Sequence, residues 1–244
     1  MSEPGHGGSP SIAQPDYWWF QARTRLLETV MTPYIGSPAR VLDVGSADGP
    51  SVGWMRHHDG LHVTLDIDPR GLGVNGVCGS ALELPFADGS FDVIGAFDVI
   101  EHLPDETTAV RELERVLTPG GRLLISVPAY QWAWTDFDVH NGHFRRYTRK
   151  RIVRALERGG LSVERATYAY SSVFPIFAAQ RSLTRLGEAV RRTKAEAQDI
   201  VSVPPVSDRV SQALLKLCRN DERILARRDL PFGSSVFVAA RKAD

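Results

Sequence analysis

Val41-Leu42-Asp43-Val44-Gly45-Ser46-Ala47-Asp48-Gly49 is the stretch whose reading decides the fold. It closes a short β-branched run, Arg40–Val44, with an acid and a glycine. A second run, His62–Ile67, carries Asp66 near its end, 21 residues beyond Gly45. In doubly wound sheets a glycine turn after the first strand lets main chain approach a ligand. An acid about 20 residues on then bonds the ribose hydroxyls. Asp43, Gly45, Ser46, Ala47 and Gly49 are therefore the candidate cofactor turn, and Asp66, with Ile67 beside it, the adenosine partner. Pro50 suits the first position of a helix, so the turn is expected to open one.

Outward from this stretch, apolar runs alternate with amphipathic segments. Gly76–Cys78, Phe91–Phe97 and Gly121–Val127 read as further strands, with too little polar alternation for a sheet wetted on one face. Between the last two, Ala109, Val110, Leu113, Val116 and Leu117 share one helical face. Asp105 and Glu106 sit at the positive start of that helix, and Thr118-Pro119-Gly120-Gly121 ends it. A helix is expected at about 148–158 and strands at about 162–170 and 234–240. The expected organisation is a flexible tail over 1–15 and a single domain over 16–244. Within the domain, an N-terminal lid covers 16–36, and a helical insertion, broken at Pro204-Pro205, covers 171–231.

Twenty-nine basic residues balance 29 acidic ones, which disfavours nucleic acid as a partner. The two cysteines, Cys78 and Cys218, lack ligand spacing and read as reduced, partly buried thiols. No apolar stretch approaches the roughly 20 residues of a membrane span. The start of the chain has no apolar signal core, so a cytoplasmic protein, monomer or homodimer, is expected.

Several segments in order resemble the class I S-adenosylmethionine (SAM)-dependent methyltransferases, in the type 11/23-like subgroup. Val41–Gly49 resembles the first motif, Asp-x-Gly-x-Gly-x-Gly, with Ala47 in place of the middle glycine. Gly79-Ser80-Ala81-Leu82-Glu83-Leu84-Pro85-Phe86, running on to Phe91-Asp92, resembles the adenine-side segment, with Ser80 where an Asp is usual. Asp98-Val99-Ile100-Glu101-His102 and Arg115-Val116-Leu117-Thr118-Pro119-Gly120-Gly121 resemble the segments after strand four and before strand five. The resemblance implies a Rossmann-like, doubly wound α/β sheet of seven strands, mostly parallel, with the last antiparallel. It implies SAM as cofactor, S-adenosylhomocysteine as product, and contacts from Ser80, Ala81, Leu82 and Phe97 as well as the turn.

The chemistry is expected beyond strands four and five. Asp98, Glu101 and His102 are similar to a cluster in some quinone-biosynthesis O-methyltransferases in which a metal has been inferred; here helix capping and pocket shaping are expected, and no metal. Downstream, Tyr130-Gln131-Trp132-Ala133-Trp134-Thr135-Asp136-Phe137-Asp138-Val139-His140-Asn141-Gly142-His143-Phe144-Arg145-Arg146-Tyr147 packs aromatic, His and Arg residues into one loop. Imidazole exchanges protons near neutral pH, so His143 is the first candidate base, ahead of His102 and Asp98. Trp132, Trp134, His140, Arg145, Arg146 and Tyr147 are candidate acceptor contacts, the guanidiniums for a carboxylate or phosphate. Alternatively, Asp138 and Arg146 pair to brace the loop. Trp18, Trp19 and Arg23 would cap the pocket from the N-terminal segment, or simply pack as core. The apolar-then-basic segment beginning Val173-Phe174-Pro175-Ile176, with Arg181, Arg185, Arg191 and Arg192, suits a lipid-linked acceptor or a membrane surface, though a dimer face or an ordinary solvated face is the commoner use of such a helix.

The expected function is methyl transfer to a small-molecule or glycolipid acceptor, at oxygen. Two alternatives are a nicotinamide-dependent Rossmann oxidoreductase and a non-catalytic SAM-binding protein. The first lacks G-x-G-x-x-G, and Tyr147 and Lys150 are one residue too close for a Tyr-x-x-x-Lys pair.

Overall fold

The computed structural model describes residues 14–45, 50–190 and 206–244. The expected tail up to residue 13, the turn residues Ser46, Ala47 and Gly49, the basic pair Arg191-Arg192 and the Pro204-Pro205 break lie outside the described residues.

Seven strands form one sheet: β1 Arg40–Val44, β2 Leu61–Asp66, β3 Gly76–Cys78, β4 Phe91–Phe97, β5 Leu117–Pro128, β6 Leu161–Ala169 and β7 Ser235–Lys242. Their order across the sheet is β3-β2-β1-β4-β5-β7-β6. The β1–β2, β2–β3, β1–β4 and β4–β5 pairs are parallel, while β7 runs antiparallel to both β5 and β6. The order reverses at β1, so the carboxyl ends of β1 and β4 flank the crevice where doubly wound sheets take their ligands. The central strands are buried on both faces, as apolar runs without alternation require.

The helices cover this sheet for local reasons. In α1, Trp18–Ile35, the buried side chains Leu26, Leu27, Val30 and Met31 recur at three- and four-residue spacing. α2, Glu106–Val116, begins where the Asp105 carboxylate accepts the Thr107 and Thr108 N–H groups, both at 3.0 Å. Its expected stripe, Ala109, Val110, Leu113 and Val116, is buried. A short α3, Asp136–His140, lies in the loop after β5, and α4, Arg149–Arg158, is capped by Thr148 and buries only Ile152 and Leu156. Among the described residues, two helices stand between β6 and β7: α5, Phe174–Val190, and α6, Asp208–Leu225. Buried Asp221 ties α6 to the chain after β6 by accepting the Ser172 N–H and hydroxyl.

Two local expectations change. Pro50–Arg56 forms a 3₁₀ turn rather than an α-helix. Cys78 is exposed at the end of β3, a sheet-edge strand with no neighbour beyond it, whereas Cys218 is buried and its thiol is pushed up to about 12 by desolvation. No helix among the described residues is long and apolar enough to cross a membrane.

Candidate active site

The cofactor side is built mainly from main chain. Asp43 is fully buried at the end of β1. Gly45 follows with φ +77°, a conformation that strains any residue bearing a Cβ, and donates its N–H to the Leu65 carbonyl at 2.7 Å. A Cβ there would lie 2.6 Å from Val99 Cγ2, so the turn packs directly on the segment that follows β4. Asp66 ends β2 with one carboxylate oxygen accepting the Asp68 N–H at 2.9 Å. Burial raises its pKa, and hydrogen bonds from the following backbone work against the rise. Neighbouring Ile67 is exposed, an apolar surface beside the carboxylate. Beyond β3, the Ser80 hydroxyl oxygen accepts the Leu82 N–H at 3.1 Å, closing the turn that holds buried Ala81. Arg115 braces this segment through the Leu84 and Phe86 carbonyls and through Asp88 and Glu112.

These features suit an adenosyl group. At these strand ends lie a glycine in a left-handed conformation, a carboxylate that could accept from vicinal hydroxyls, and exposed Ile67, an apolar surface beside it.

The end of β4 is clamped by the N-terminal helix. Arg23, buried in α1, donates Nε to Asp98 Oδ2 at 3.0 Å and a terminal nitrogen to the Phe97 carbonyl at 3.1 Å. Asp98 itself has φ +58°, outside the comfortable range of a non-glycine residue. It therefore acts as a pinned strand end, with its carboxylate spent on Arg23. The first turn of α1 also places Trp19 flat against Tyr170, 6.2 Å between centroids. The lid of the sequence reading is thus a packed helix whose first turns reach the strand ends. Trp18 and Trp19 make their ring contacts with Tyr17, Phe20 and Tyr170, apart from the loop that carries Trp132 and Trp134.

The acceptor side is built from side chains. Asp138, fully buried in α3, is its hub. Its Oδ1 meets His143 Nδ1 at 2.9 Å and Arg146 Nε at 2.7 Å, and its Oδ2 accepts the Thr135 N–H at 3.0 Å. Burial alone would raise this carboxyl, but the His143 bond, the Arg146 charge and the backbone donor together hold it below the ordinary carboxylate value. A carboxylate only accepts, so Nδ1 of His143 donates to Asp138, which leaves Nε2 as the ring nitrogen open to an acceptor. The His143 ring stands edge-on to His102, centroids 4.5 Å apart. Desolvation and then the neighbouring His143 push the His102 imidazole below its usual value, so it is neutral near pH 7.

Glu101 completes this group. It is buried, its Oε2 has no hydrogen-bond partner, and its main-chain carbonyl accepts the Phe144 N–H at 2.7 Å. Burial first, and the nearby Asp98 charge second, hold its carboxyl well above the usual range. Glu101, His102 and His143 bring three potential ligand atoms within 4.8 Å of one another; Asp98 is not among them, because it faces Arg23.

Several expected acceptor contacts are placed otherwise. Arg146 is buried, bonded to Asp138 and to the Ala129 carbonyl, and Tyr147 is fully buried; both brace the loop instead of facing an open pocket. Buried Tyr147 beside exposed Lys150 also cannot serve as the Tyr/Lys pair of an oxidoreductase. Arg145 donates to the Pro104 carbonyl and lies over Phe144, and exposed His140 turns back to the Asp136 carbonyl at 2.7 Å. Half-buried Trp134 ends a 3₁₀ turn whose N–H bonds Gln131, while Trp132 is exposed and stacks on Tyr130.

Sequence reasoning missed Tyr130 and Tyr170. Both have positive φ (+61° and +65°) just beyond β5 and β6, and Tyr130 stacks on Tyr168 at 5.4 Å. Only their place after a strand could have flagged them, since unusual backbone conformations cluster where sites are built.

A methyltransferase-domain family matches residues 42–125, from β1 through β5. Over these residues the chain is similar to the class I SAM-dependent methyltransferases. The chain is 37% identical over 102 residues to the methyltransferase GfsG of Streptomyces halstedii, covering 36% of this chain and 37% of that protein. It is 32% identical over 125 residues to the 27-O-demethylrifamycin SV methyltransferase of Amycolatopsis mediterranei, covering 43% and 44%. The matched region thus spans less than half the length of either relative. Among solved structures, the 1,6-didemethyltoxoflavin-N1-methyltransferase of Burkholderia thailandensis superposes with a TM-score of 0.56 at 16% identity, covering 96% of this chain and 85% of that one, which is a likeness of fold. The matched residues contain the candidate cofactor residues from Asp43 to Phe97; the candidate acceptor loop after β5 begins beyond them.

Proposed function

We propose that the chain transfers a methyl group from SAM to an oxygen of a small or lipid-linked acceptor, with His143 taking the acceptor proton. One run of contacts carries this reading. Gly45 packs on Val99, the same segment supplies Glu101 and His102, and His102 touches His143. This chain of contacts from Gly45 to His143 supports pairing the candidate cofactor end of β1 with the candidate base.

SAM, when bound, supplies an electrophilic methyl and leaves as S-adenosylhomocysteine. Gly45 and Asp66 would hold its adenosyl part, with Ser80, Ala81 and Leu82 along the base. A hydroxyl must lose its proton as the new bond forms, and His143 Nε2 is the lone pair offered for it. Asp138 fixes the tautomer and stabilises the imidazolium that results. Burial favours the uncharged forms of both His102 and Glu101 beside it.

The reading is tested by two variants. Asp66→Ala should weaken SAM binding by about 100-fold in calorimetry, through lost hydrogen bonds to the ribose. His143→Ala should leave SAM affinity intact and slow transfer of labelled methyl into lipid and small-molecule extracts by about 100- to 10,000-fold. Unchanged transfer by the His143 variant would return that residue to a bracing role. Thermal stabilisation by NAD but by neither SAM nor S-adenosylhomocysteine would defeat the whole reading.

A further inference from the structure

α5 presents its apolar stripe in an unusual direction. Phe174, Phe177, Arg181 and Arg185, at spacings of three and four, form the face that meets the acceptor loop. Phe174 packs against Tyr130, Trp132 and Phe232; the Arg181 guanidinium lies over Phe137 and Phe177 and bonds the Thr135 hydroxyl; Arg185 donates to the Trp132 carbonyl at 2.6 Å. Ile176, Ala179, Leu183 and Leu186 recur at the same helical spacing about half a turn away. Ile176, Leu183 and Leu186 are 56%, 69% and 66% exposed. A helix in a folded protein ordinarily turns its apolar stripe inward. Here the inward face already holds Phe174 and Phe177 beside the guanidiniums, and a second apolar stripe faces out.

The surroundings of that stripe name its occupant. The adjoining loop exposes Trp132, Phe137, Val139 and Phe144. From Tyr130 to Gly187 the chain carries ten Lys and Arg against four Asp and Glu, although the whole chain is neutral. Arg149 and Lys150 are exposed at the start of α4, and between Tyr130 and Lys150 the one exposed carboxylate is Asp136. Apolar and aromatic side chains set among guanidiniums and ammoniums match the boundary between acyl chains and anionic headgroups. A second copy of the chain fits less well, because a two-fold interface would set the same basic rim against itself.

We infer that the outer face of α5 and the loop after β5 dock on the surface of an anionic bilayer, and that the acceptor is an amphiphile drawn from it. The second half rests on the methyl-transfer reading; the docking does not. The loop that would lie on the membrane also carries His143 and Asp138, so an acceptor would reach them without crossing water.

The experiment is co-sedimentation of the full chain with vesicles of phosphatidylglycerol and phosphatidylcholine in equal parts, and with phosphatidylcholine alone. Binding is expected to the anionic vesicles and to weaken with added salt. The double variant Leu183→Glu/Leu186→Glu replaces two exposed side chains and should bind about 100-fold more weakly. SAM calorimetry on the same variant should be unchanged, which shows that it folds. Failure of the wild type to bind anionic vesicles, or equal binding by the variant, overturns the proposal. So does a wild-type dimer in light scattering that the double variant dissociates, since a second copy would then cover the stripe. Vesicle binding without SAM binding would keep the docking and discard methyl transfer; SAM binding without vesicle binding would do the reverse.

Discussion

The two halves of the site are made from different material. On the cofactor side, the ends of β1, β2 and β3 offer a glycine turn, strand-end acids and backbone groups already fixed by the parallel ladder. On the acceptor side, position depends on a buried carboxylate shared by His143 and Arg146 and on rings stacked from Tyr168 through Tyr130 to Trp132. A site made of main chain is damaged by adding atoms. A site made of paired side chains is damaged by removing them.

The largest test of that contrast is Asp138→Ala. It strands the Arg146 guanidinium in the interior and frees the His143 ring, and should cost about 3–5 kcal/mol in denaturant unfolding. Any variant protein that remains folded should still bind SAM with wild-type affinity, because the side-chain partners of Asp138 among the described residues, His143 and Arg146, both lie in the loop after β5. A stability loss below about 1 kcal/mol would mean that the pair is not held as described.

Gly45→Ala is the converse test. The new methyl would sit 2.6 Å from Val99 Cγ2 on a backbone with φ +77°, at a cost of about 2 kcal/mol. SAM affinity should fall with it, and Gly45→Ala/Val99→Ala should regain part of the loss, because the smaller side chain removes the clash but not the backbone strain. No difference between the single and double variants would show that packing is not the cause.

The mildest test concerns the support beneath the cofactor strand. His62 on β2 is lowered to about 4 by burial and by the Arg56 charge, and its Nε2 has no partner. The unfolded chain takes up this proton near pH 6.5, whereas the folded chain resists until about 4. The destabilisation is therefore absent above pH 6.5, grows as the pH falls, and is complete near pH 4. After allowance for its half-exposure, the loss is about 2 kcal/mol. In His62→Gln, the fall in melting temperature between pH 7 and pH 5 should be shallower than in the wild type; an identical fall would assign the acid sensitivity elsewhere.

The acid at the end of β2 was readable because its spacing from the turn is a property of the chain, and so was the buried stripe of α2. The loop after β5 was readable only as a concentration of unusual residues. Its sequence singled out His143 and offered two roles for Arg146, but only the folded arrangement spends Arg146 on Asp138 and leaves His143 beside His102. The N-terminal aromatics show the same limit. Their sequence fits a lid or a core helix equally, and the choice depends on Arg23 reaching a carbonyl 74 residues away.

By itself, the order of residues determined the alternation of strands and helices and the spacing of Asp66 from Gly45, because each depends on spacing within a few turns or strands. Tertiary structure alone decided which charges meet inside, which strand ends are pinned at positive φ, and that the apolar stripe of α5 looks outward. Those outcomes depend on contacts between residues far apart in the chain, and no local period encodes them.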